Sequence, residues 1–173
     1  MIGREGNTAV WCLVAAAFML ISEGCASDSR PRVETYQMGD RVVLPPFTYN
    51  VIEVHWKSQL GEMPKLRLPE RRFLLVRISV TNSGGHDASV PLLSVDDGQG
   101  NSYQESANGE SVDNWLGLLR TISPAETDQG WLIFDVPVGS YRLRVTNGND
   151  PGDERHSFIE LPLRMDYDDN SPP

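Results

Sequence analysis

Apolar and polar residues alternate with a period of two along most of the chain between residues 36 and 164. A β-strand points successive side chains to opposite faces of a sheet, so each such run predicts a strand with one buried face. In the run 72–80 the two sets are Leu74, Val76, Ile78 and Val80 against Arg77 and Ser79. In the run 48–57 the predicted inward set is Ile52, Val54 and Trp56. Similar runs occupy residues 41–44, 90–95, 131–136, 141–145 and 157–164.

Turn-forming residues separate these runs. Asn82-Ser83-Gly84-Gly85 follows one run, and Asp97-Gly98 makes a tight connection towards Tyr103. Glycine, asparagine and aspartate tolerate the backbone conformations that turns require. Short strands at regular spacing with almost no helical periodicity predict an all-β fold. We expect an antiparallel β-sandwich of about seven to eight strands, with one short helix or turn excursion, and a closed β-barrel is the alternative.

The N-terminal segment contains 13 consecutive apolar residues at positions 9–21. A membrane-spanning helix needs about 20 such residues, whereas the apolar region of a signal peptide has about 7–15. Arg4 supplies a positive charge ahead of this run. We therefore expect residues 1–24 to be a signal peptide and the domain to be extracytoplasmic, with a buried core helix as the alternative for this segment.

Cys25 is the predicted lipidation site. Ser22-Glu23-Gly24-Cys25 resembles the bacterial lipobox, in which a small residue precedes the cysteine that is acylated. Gly24 fits that pattern, while Ser22 and Glu23 depart from it. An acylated Cys25 would hold the protein on a membrane, and cleavage after Ala26 would instead give a secreted protein. The only other cysteine is Cys12, so the mature domain is expected to lack a disulfide and a thiolate nucleophile.

The mature chain divides into three predicted parts. Residues 25–35 are small, polar and proline-containing, which is typical of a flexible tether. Residues 36–164 hold the alternating runs and form the predicted sandwich. Residues 165–173 are acidic and end in two prolines, which predicts a disordered tail.

A set of turn and strand-end residues resembles a known family. In chain order these are Gly39-Asp40, Asn82, Asp97-Gly98 before Tyr103, Pro124, Gly130 and Phe134-Asp135-Val136-Pro137. They resemble the bacterial extracytoplasmic Ig-like domains of unknown function, which are similar in fold to the mycobacterial immunoprotective extracellular protein. The resemblance implies an Ig-like sandwich outside the cytosol and carries over no catalytic residue. Ala125 follows Pro124 where the family often has glycine.

Charge and motifs exclude several classes of function. The net charge of −9 and the pI of about 4.7 argue against nucleic-acid binding, which requires a basic surface. The sequence has no G-x-S-x-G motif, and His55, His86 and His156 lack the spacing of zinc ligands. We therefore expect no enzymatic activity, no catalytic residue, no metal site and no cofactor.

The segment 96–101, Asp-Asp-Gly-Gln-Gly-Asn, has two interpretations. Its side chains could supply oxygen ligands to calcium, with Glu105 or Asp113 contributing if the fold brought them near. An EF-hand would need glutamate at the twelfth position, where Ala107 stands. The favoured interpretation is a hairpin turn. The alternative function is therefore a calcium- or small-ligand-binding sensor.

Residues 106–121 form an apolar excursion between predicted strands. Trp115, Leu118 and Leu119 have helix-like spacing, which favours a short helix or turn there. The excursion could cap one open end of the sandwich, or it could dock a protein partner. The predicted partner-binding residues are Trp115, Leu116, Leu118 and Leu119. The favoured function is a non-enzymatic exported or lipid-anchored module with an unknown protein partner in the cell envelope, and a structural spacer is a further possibility.

Overall fold

The computed structural model describes residues 33–163, which form the predicted β-sandwich. The predicted signal peptide, Cys25, most of the predicted tether and the acidic C-terminal segment lie outside the described residues. The strands are β1 (Thr35–Gln37), β2 (Val42–Leu44), β3 (Phe47–Lys57), β4 (Phe73–Asn82), β5 (Ala88–Ser89), β6 (Ser94–Asp97), β7 (Ser102–Gln104), β8 (Thr121–Ile122), β9 (Thr127–Asp135), β10 (Tyr141–Thr146) and β11 (His156–Leu161). Within residues 33–163 there is no helix, and hence none that could span a bilayer.

Two main sheets make up the sandwich. One has five strands in the order β1-β11-β10-β6-β7, and the other has four in the order β2-β3-β4-β9. A separate two-stranded ribbon pairs β5 with β8. The pairing is antiparallel as predicted, except that β1 runs parallel to β11 from Thr35 onwards. The last residue assigned to the tether is therefore already in a strand.

The main core lies between the two sheets and contains most of the predicted inward residues of both. Its largest members come from the four-stranded sheet and include Trp56, Tyr49, Phe47 and Phe134. The Tyr49 hydroxyl donates a hydrogen bond to the carbonyl oxygen of Thr146 at 2.7 Å, which joins one sheet to the other. Burial raises the pKa of this hydroxyl well above its usual range. The side chain therefore remains a neutral donor across the core.

The predicted inward position of Ile52 is wrong. The pairing of β3 with β4 shifts by one residue between Val51 and Glu53, which is a β-bulge. The bulge turns Ile52 outwards, where 41% of it is exposed, while Val54 and Trp56 are buried as predicted. Strict alternation of side chains fails at a bulge because the extra residue has no partner on the neighbouring strand.

The predicted strand 90–95 is also wrong in its bounds. The segment divides into β5 at Ala88–Ser89 and β6 at Ser94–Asp97. Pro91 lies between the two strands. Proline has no backbone N–H to donate, so it is disfavoured inside a continuous ladder.

Strands β4 and β9 are apolar on both faces where they pair. Leu74 and Phe134 face the main core, whereas Phe73, Leu75 and Ile133 belong to a second buried cluster. Leu60 completes that cluster, and Val112, Trp115 and Trp131 pack against it. The outer face of the four-stranded sheet is therefore covered in this region by other parts of the chain.

The turn before β9 contains a residue in a strained backbone conformation. Ala125 has φ of 63°, and the Glu126 amide donates to the carbonyl oxygen of Ser123 at 3.1 Å. Pro124 and Ala125 are the two central residues of this turn. In a type II turn the first central residue is commonly proline, and the second central residue has a positive φ, which favours glycine there. The turn therefore forms although Ala125 replaces the glycine that the family often has at this position.

We predict that Ala125→Gly raises the free energy of unfolding by about 0.5–1 kcal/mol. An alanine in this region costs about 1–2 kcal/mol, and glycine loses about 0.5–1 kcal/mol through the greater entropy of its unfolded chain. Urea unfolding measures the difference. Ala88→Gly in β5 is the matched control and should lower stability. A loss of stability in Ala125→Gly would contradict the proposed strain.

Candidate functional site

The excursion 106–121 runs beside strand β9, which is the edge of the four-stranded sheet. The Leu116 amide donates to the carbonyl oxygen of Trp131 at 3.1 Å, and the Trp131 amide donates to that of Asn114 at 2.9 Å. Trp115 and Trp131 form a parallel bridge through these bonds. The Ser106 amide donates to the carbonyl oxygen of Ile133 at 2.6 Å. The excursion therefore occupies hydrogen-bonding groups that an edge strand would otherwise expose.

Two glycines permit this close approach. A Cβ atom added at Gly130 would lie 2.5 Å from the carbonyl oxygen of Asn114. A Cβ atom added at Gly109 would lie 2.4 Å from ring atoms of Trp115. Both distances are shorter than carbon atoms tolerate, so the path of the excursion requires a residue without a side chain at each position.

The four predicted partner-binding residues have different surroundings. Trp115 packs against the outer cluster, and Leu116 packs against the main core on the other side of β9. Leu118 is partly buried, and Leu119 is fully exposed. Trp115 and Leu116 thus attach the excursion to the sandwich but are only partly buried, as Leu118 is, and Leu119 is the one fully exposed side chain of the four.

The helix favoured by the spacing of Trp115, Leu118 and Leu119 is absent, and turns take its place. Asn114 has φ of 57° and Gly117 has φ of 76°, both incompatible with a right-handed helix. The pairing of Trp115 with Trp131 also requires extended backbone. The excursion lies along an edge and an outer face of the sandwich, and does not cap an open end.

A buried ion pair, which we call the neck pair, lies where the excursion begins and ends. Glu105 precedes the excursion, Arg120 is near its end, and both side chains are fully buried. Glu105 Oε1 accepts hydrogen bonds from Arg120 Nη2 and from the Leu93 amide, the latter at 2.8 Å. Arg120 Nη2 also donates to the carbonyl oxygen of Pro91 at 3.1 Å. The neck pair therefore ties both ends of the excursion to the segment between β5 and β6.

Burial and charge act in opposite directions on the neck pair. Desolvation raises the pKa of the Glu105 carboxyl, while the positive charge of Arg120 and the Leu93 amide oppose that rise. Removing only one member of such a pair strongly destabilises the fold, because the charge of the other member then remains buried without a partner. The neck pair therefore holds Glu105 and Arg120 together at the base of the excursion.

Arg67 ties the excursion to the long loop between β3 and β4. Its Nη2 donates to Ser106 Oγ at 2.9 Å, and its Nη1 donates to the carbonyl oxygen of Asn108. The guanidinium lies 5.0 Å from the centre of the Phe73 ring. The same residue exchanges two backbone hydrogen bonds with Leu60. Loop and excursion together thus cover the outer cluster.

Sequence reasoning missed Glu105 in this role, together with Arg67 and Arg120. No signal in the sequence pairs an isolated arginine with a glutamate 15 residues away or with a loop some 40 residues away. The sequence does contain one indirect signal, which is the apolar run on both faces of β4 and β9. Such runs are typical of strands that are covered on both sides.

The predicted turn at residues 96–101 is confirmed as the connection of the β6–β7 hairpin. Asp97 Oδ1 accepts from the amides of Gln99 and Asn101 at 2.8 and 2.9 Å, and Oδ2 accepts from Asn101 Nδ2 at 2.7 Å. These hydrogen bonds lower the pKa of the Asp97 carboxyl. No group of three or more potential metal ligands occurs within residues 33–163, and Glu105 is held in the neck pair.

Fold and edge arrangement together define an Ig-like β-sandwich whose second sheet is closed at one edge by a non-helical excursion. The chain belongs to the family described as a domain of unknown function, DUF4352, whose model matches residues 36–155. The family resemblance seen in the sequence is thereby confirmed. No curated protein matches the chain.

Solved structures share the fold at low sequence identity. The yjhA protein of Bacillus subtilis is 14% identical with a TM-score of 0.58, covering 73% of this chain and 99% of that one. The secreted protein MPT63 of Mycobacterium tuberculosis is 14% identical with a TM-score of 0.57, covering 76% and 100%. A putative lipoprotein of Bacillus subtilis, ycdA, is 17% identical with a TM-score of 0.52, covering 69% of this chain and 38% of that one.

We predict that Glu105→Ala lowers the free energy of unfolding by about 3–5 kcal/mol, because it leaves the Arg120 charge buried without a partner. The double variant Glu105→Leu/Arg120→Met should recover most of that loss. Urea unfolding of the three proteins measures the effect.

The control for the neck pair is the partly exposed pair formed by Arg144 and Glu154, whose nitrogen and oxygen are 3.0 Å apart. Glu154→Ala should cost no more than about 1 kcal/mol. A loss in Glu105→Ala that is no larger than in this control would show that the neck pair does not stabilise the excursion.

Proposed function

We propose that the chain is an exported, non-catalytic accessory module of the cell envelope that binds a protein partner through Leu118 and Leu119. One observation carries the docking surface: Leu119 is fully exposed although its neighbour Arg120 is completely buried. An apolar side chain exposed next to a fixed point of the fold leaves water when a partner covers it, which favours association. Its contact with a partner would not require the backbone to become ordered first.

Export is supported by the N-terminal sequence and by proteins of similar fold. Residues 1–24 have the charge, apolar length and small-residue end of a signal peptide. One fold relative is a secreted protein and another is a putative lipoprotein. We therefore propose that the protein lies outside the cytosol and is attached to a membrane through an acylated Cys25.

The absence of catalysis is proposed because the perturbed ionisable groups each have a structural explanation. Hydrogen bonding to His55 lowers the pKa of Glu53 on an open sheet face. Hydrogen bonding to Arg144 lowers the pKa of Glu154. These two pairs lie on different sheets. Asp97 and Tyr141 do line one pocket, but the pKa of Asp97 is lowered by the hydrogen bonds of its own turn and that of Tyr141 is raised by burial.

A second exposed leucine, Leu92, is adjacent in sequence to the same hydrogen-bonded base. Leu92 is 51% exposed and directly follows Pro91, whose carbonyl oxygen accepts from Arg120. Leu119 directly precedes Arg120. Each leucine is therefore next in sequence to one of the two residues, Pro91 and Arg120, that are hydrogen-bonded at the base of the excursion. Exposed leucines, which offer apolar surface and no hydrogen-bonding group, suit a protein partner better than a small polar ligand.

We predict that Leu119→Ser reduces the amount of a crosslinked partner by about tenfold, which corresponds to the loss of a buried apolar hot spot. A photo-crosslinking residue at position 119 first identifies the partner. The crosslinking residue is then placed at position 118, and the amount of partner captured is compared between proteins with Leu119 and with Leu119→Ser. Unfolding free energy should change by less than about 0.5 kcal/mol, because the side chain is on the surface.

Leu68, which is 69% exposed in the loop between β3 and β4, provides the control position. The same crosslinking residue at position 68 should capture no common partner, and Leu68→Ser should leave capture at position 118 unchanged. Equal capture at both positions, or an undiminished signal in Leu119→Ser, would refute the docking surface.

We predict that Cys25→Ala moves the protein from the membrane fraction to the soluble extracytoplasmic fraction and abolishes incorporation of labelled fatty acid. Each buried CH₂ group of an acyl chain contributes about 0.8 kcal/mol of membrane affinity. Cys12→Ala is the matched control and should change neither result. Cleavage after Ala26 in the unmodified protein, read from its N-terminal mass, would contradict lipidation.

A further inference from the structure

A pocket opens at one end of the sandwich, and none of its lining residues belongs to the excursion. Its volume is about 480 Å³, and its walls are the β6–β7 turn and the β9–β10 turn. Tyr103 and Tyr141 stand between these turns with ring centres 5.9 Å apart and rings nearly perpendicular. The volume is within the range of pockets that hold small molecules.

Both walls of the pocket are fixed by their own hydrogen bonds. Asp97 accepts three hydrogen bonds from Gln99 and Asn101, which hold the first turn. The Tyr141 hydroxyl donates to the carbonyl oxygen of Pro137 at 2.8 Å, which holds the second. The pocket is therefore formed before any ligand enters, and a ligand would not have to order it.

The polar groups of the walls include both donors and acceptors. The Asp97 carboxylate is occupied by its own turn, since it accepts from the Gln99, Gly100 and Asn101 backbone amides and from Asn101 Nδ2. The Gln99 side-chain amide and the Ser140 hydroxyl line the pocket, and neither side chain has a protein hydrogen bond in the described part of the chain. Hydroxyl groups of a ligand can both donate to and accept from these two side chains.

The charges beside the pocket balance. Asp97 carries a negative charge at neutral pH, as aspartates ordinarily do, and the hydrogen bonds of its turn lower its pKa further. The Arg71 guanidinium lies 5.9 Å from the centre of the Tyr103 ring. A ligand with a strong net charge would meet one attractive and one repulsive group there, so the site suits a neutral molecule.

We propose that this pocket binds a neutral saccharide, with sugar hydroxyls on the Gln99 and Ser140 side chains and the apolar face of the ring on the exposed part of Tyr103, which the buried Tyr141 supports from behind. Sugars combine dense hydroxyl groups with a C–H face, and the pocket combines amide, hydroxyl and carboxylate groups with aromatic surface. This site is separate from the proposed docking surface at Leu118 and Leu119 and does not depend on it.

The experiment is a titration of the ¹⁵N-labelled protein with glucose and with N-acetylglucosamine, followed by backbone amide shifts. Saturable shifts are expected at Gly98, Gln99, Gly139 and Ser140. Gln99→Ala and Ser140→Ala should each weaken binding about threefold to tenfold, the effect of losing one hydrogen bond. Ser102→Ala is the matched control, because Ser102 is on the same hairpin but does not line the pocket.

Three results would overturn the proposal. The first is the absence of saturable shifts with either sugar. The second is an equal response to glycerol at the same hydroxyl concentration, which would indicate unspecific solvation. The third is binding that neither Gln99→Ala nor Ser140→Ala weakens while both variants remain folded.

Discussion

Apolar side chains on both faces of β4 and β9 are the constraint on which the rest of the structure depends. One face of these strands fills the space between the two sheets, and the other carries Phe73, Leu75 and Ile133. Each of these side chains would cost about 1.5–3 kcal/mol if left in water. A two-layer sandwich alone cannot cover them, so the long loop after β3 and the excursion 106–121 form a third layer over this part of the sheet.

The need for that cover explains how the excursion is divided between attachment and exposure. Trp115 and Leu116 contact opposite sides of the β9 edge, and the neck pair of Glu105 and Arg120 fixes the base. Leu119 lies between these held regions and is fully exposed, and the docking proposal rests on that exposure.

The sequence predicts the class of fold well because period-two alternation reports directly on which side chains face the core. It predicts neither the bulge that exposes Ile52 nor the third layer, since both depend on contacts between distant segments. Helix-like spacing of Trp115 and Leu119 was misleading because edge pairing with Trp131 imposed extended backbone. The neck pair was missed for the same reason: its members are adjacent only after folding. The turn at Asp97 was predictable because its hydrogen bonds are local.

Native-state hydrogen exchange tests most directly whether the excursion is a fixed layer along the β9 edge. The Leu116 and Trp131 amides both donate across that edge, so the account predicts that they exchange as slowly as amides in the interior of β4. The Leu119 amide, at the exposed tip, should exchange quickly. Leu116 and Trp131 amides that exchange as fast as that of Leu119 would mean that the edge is open and that the third layer is not held in place.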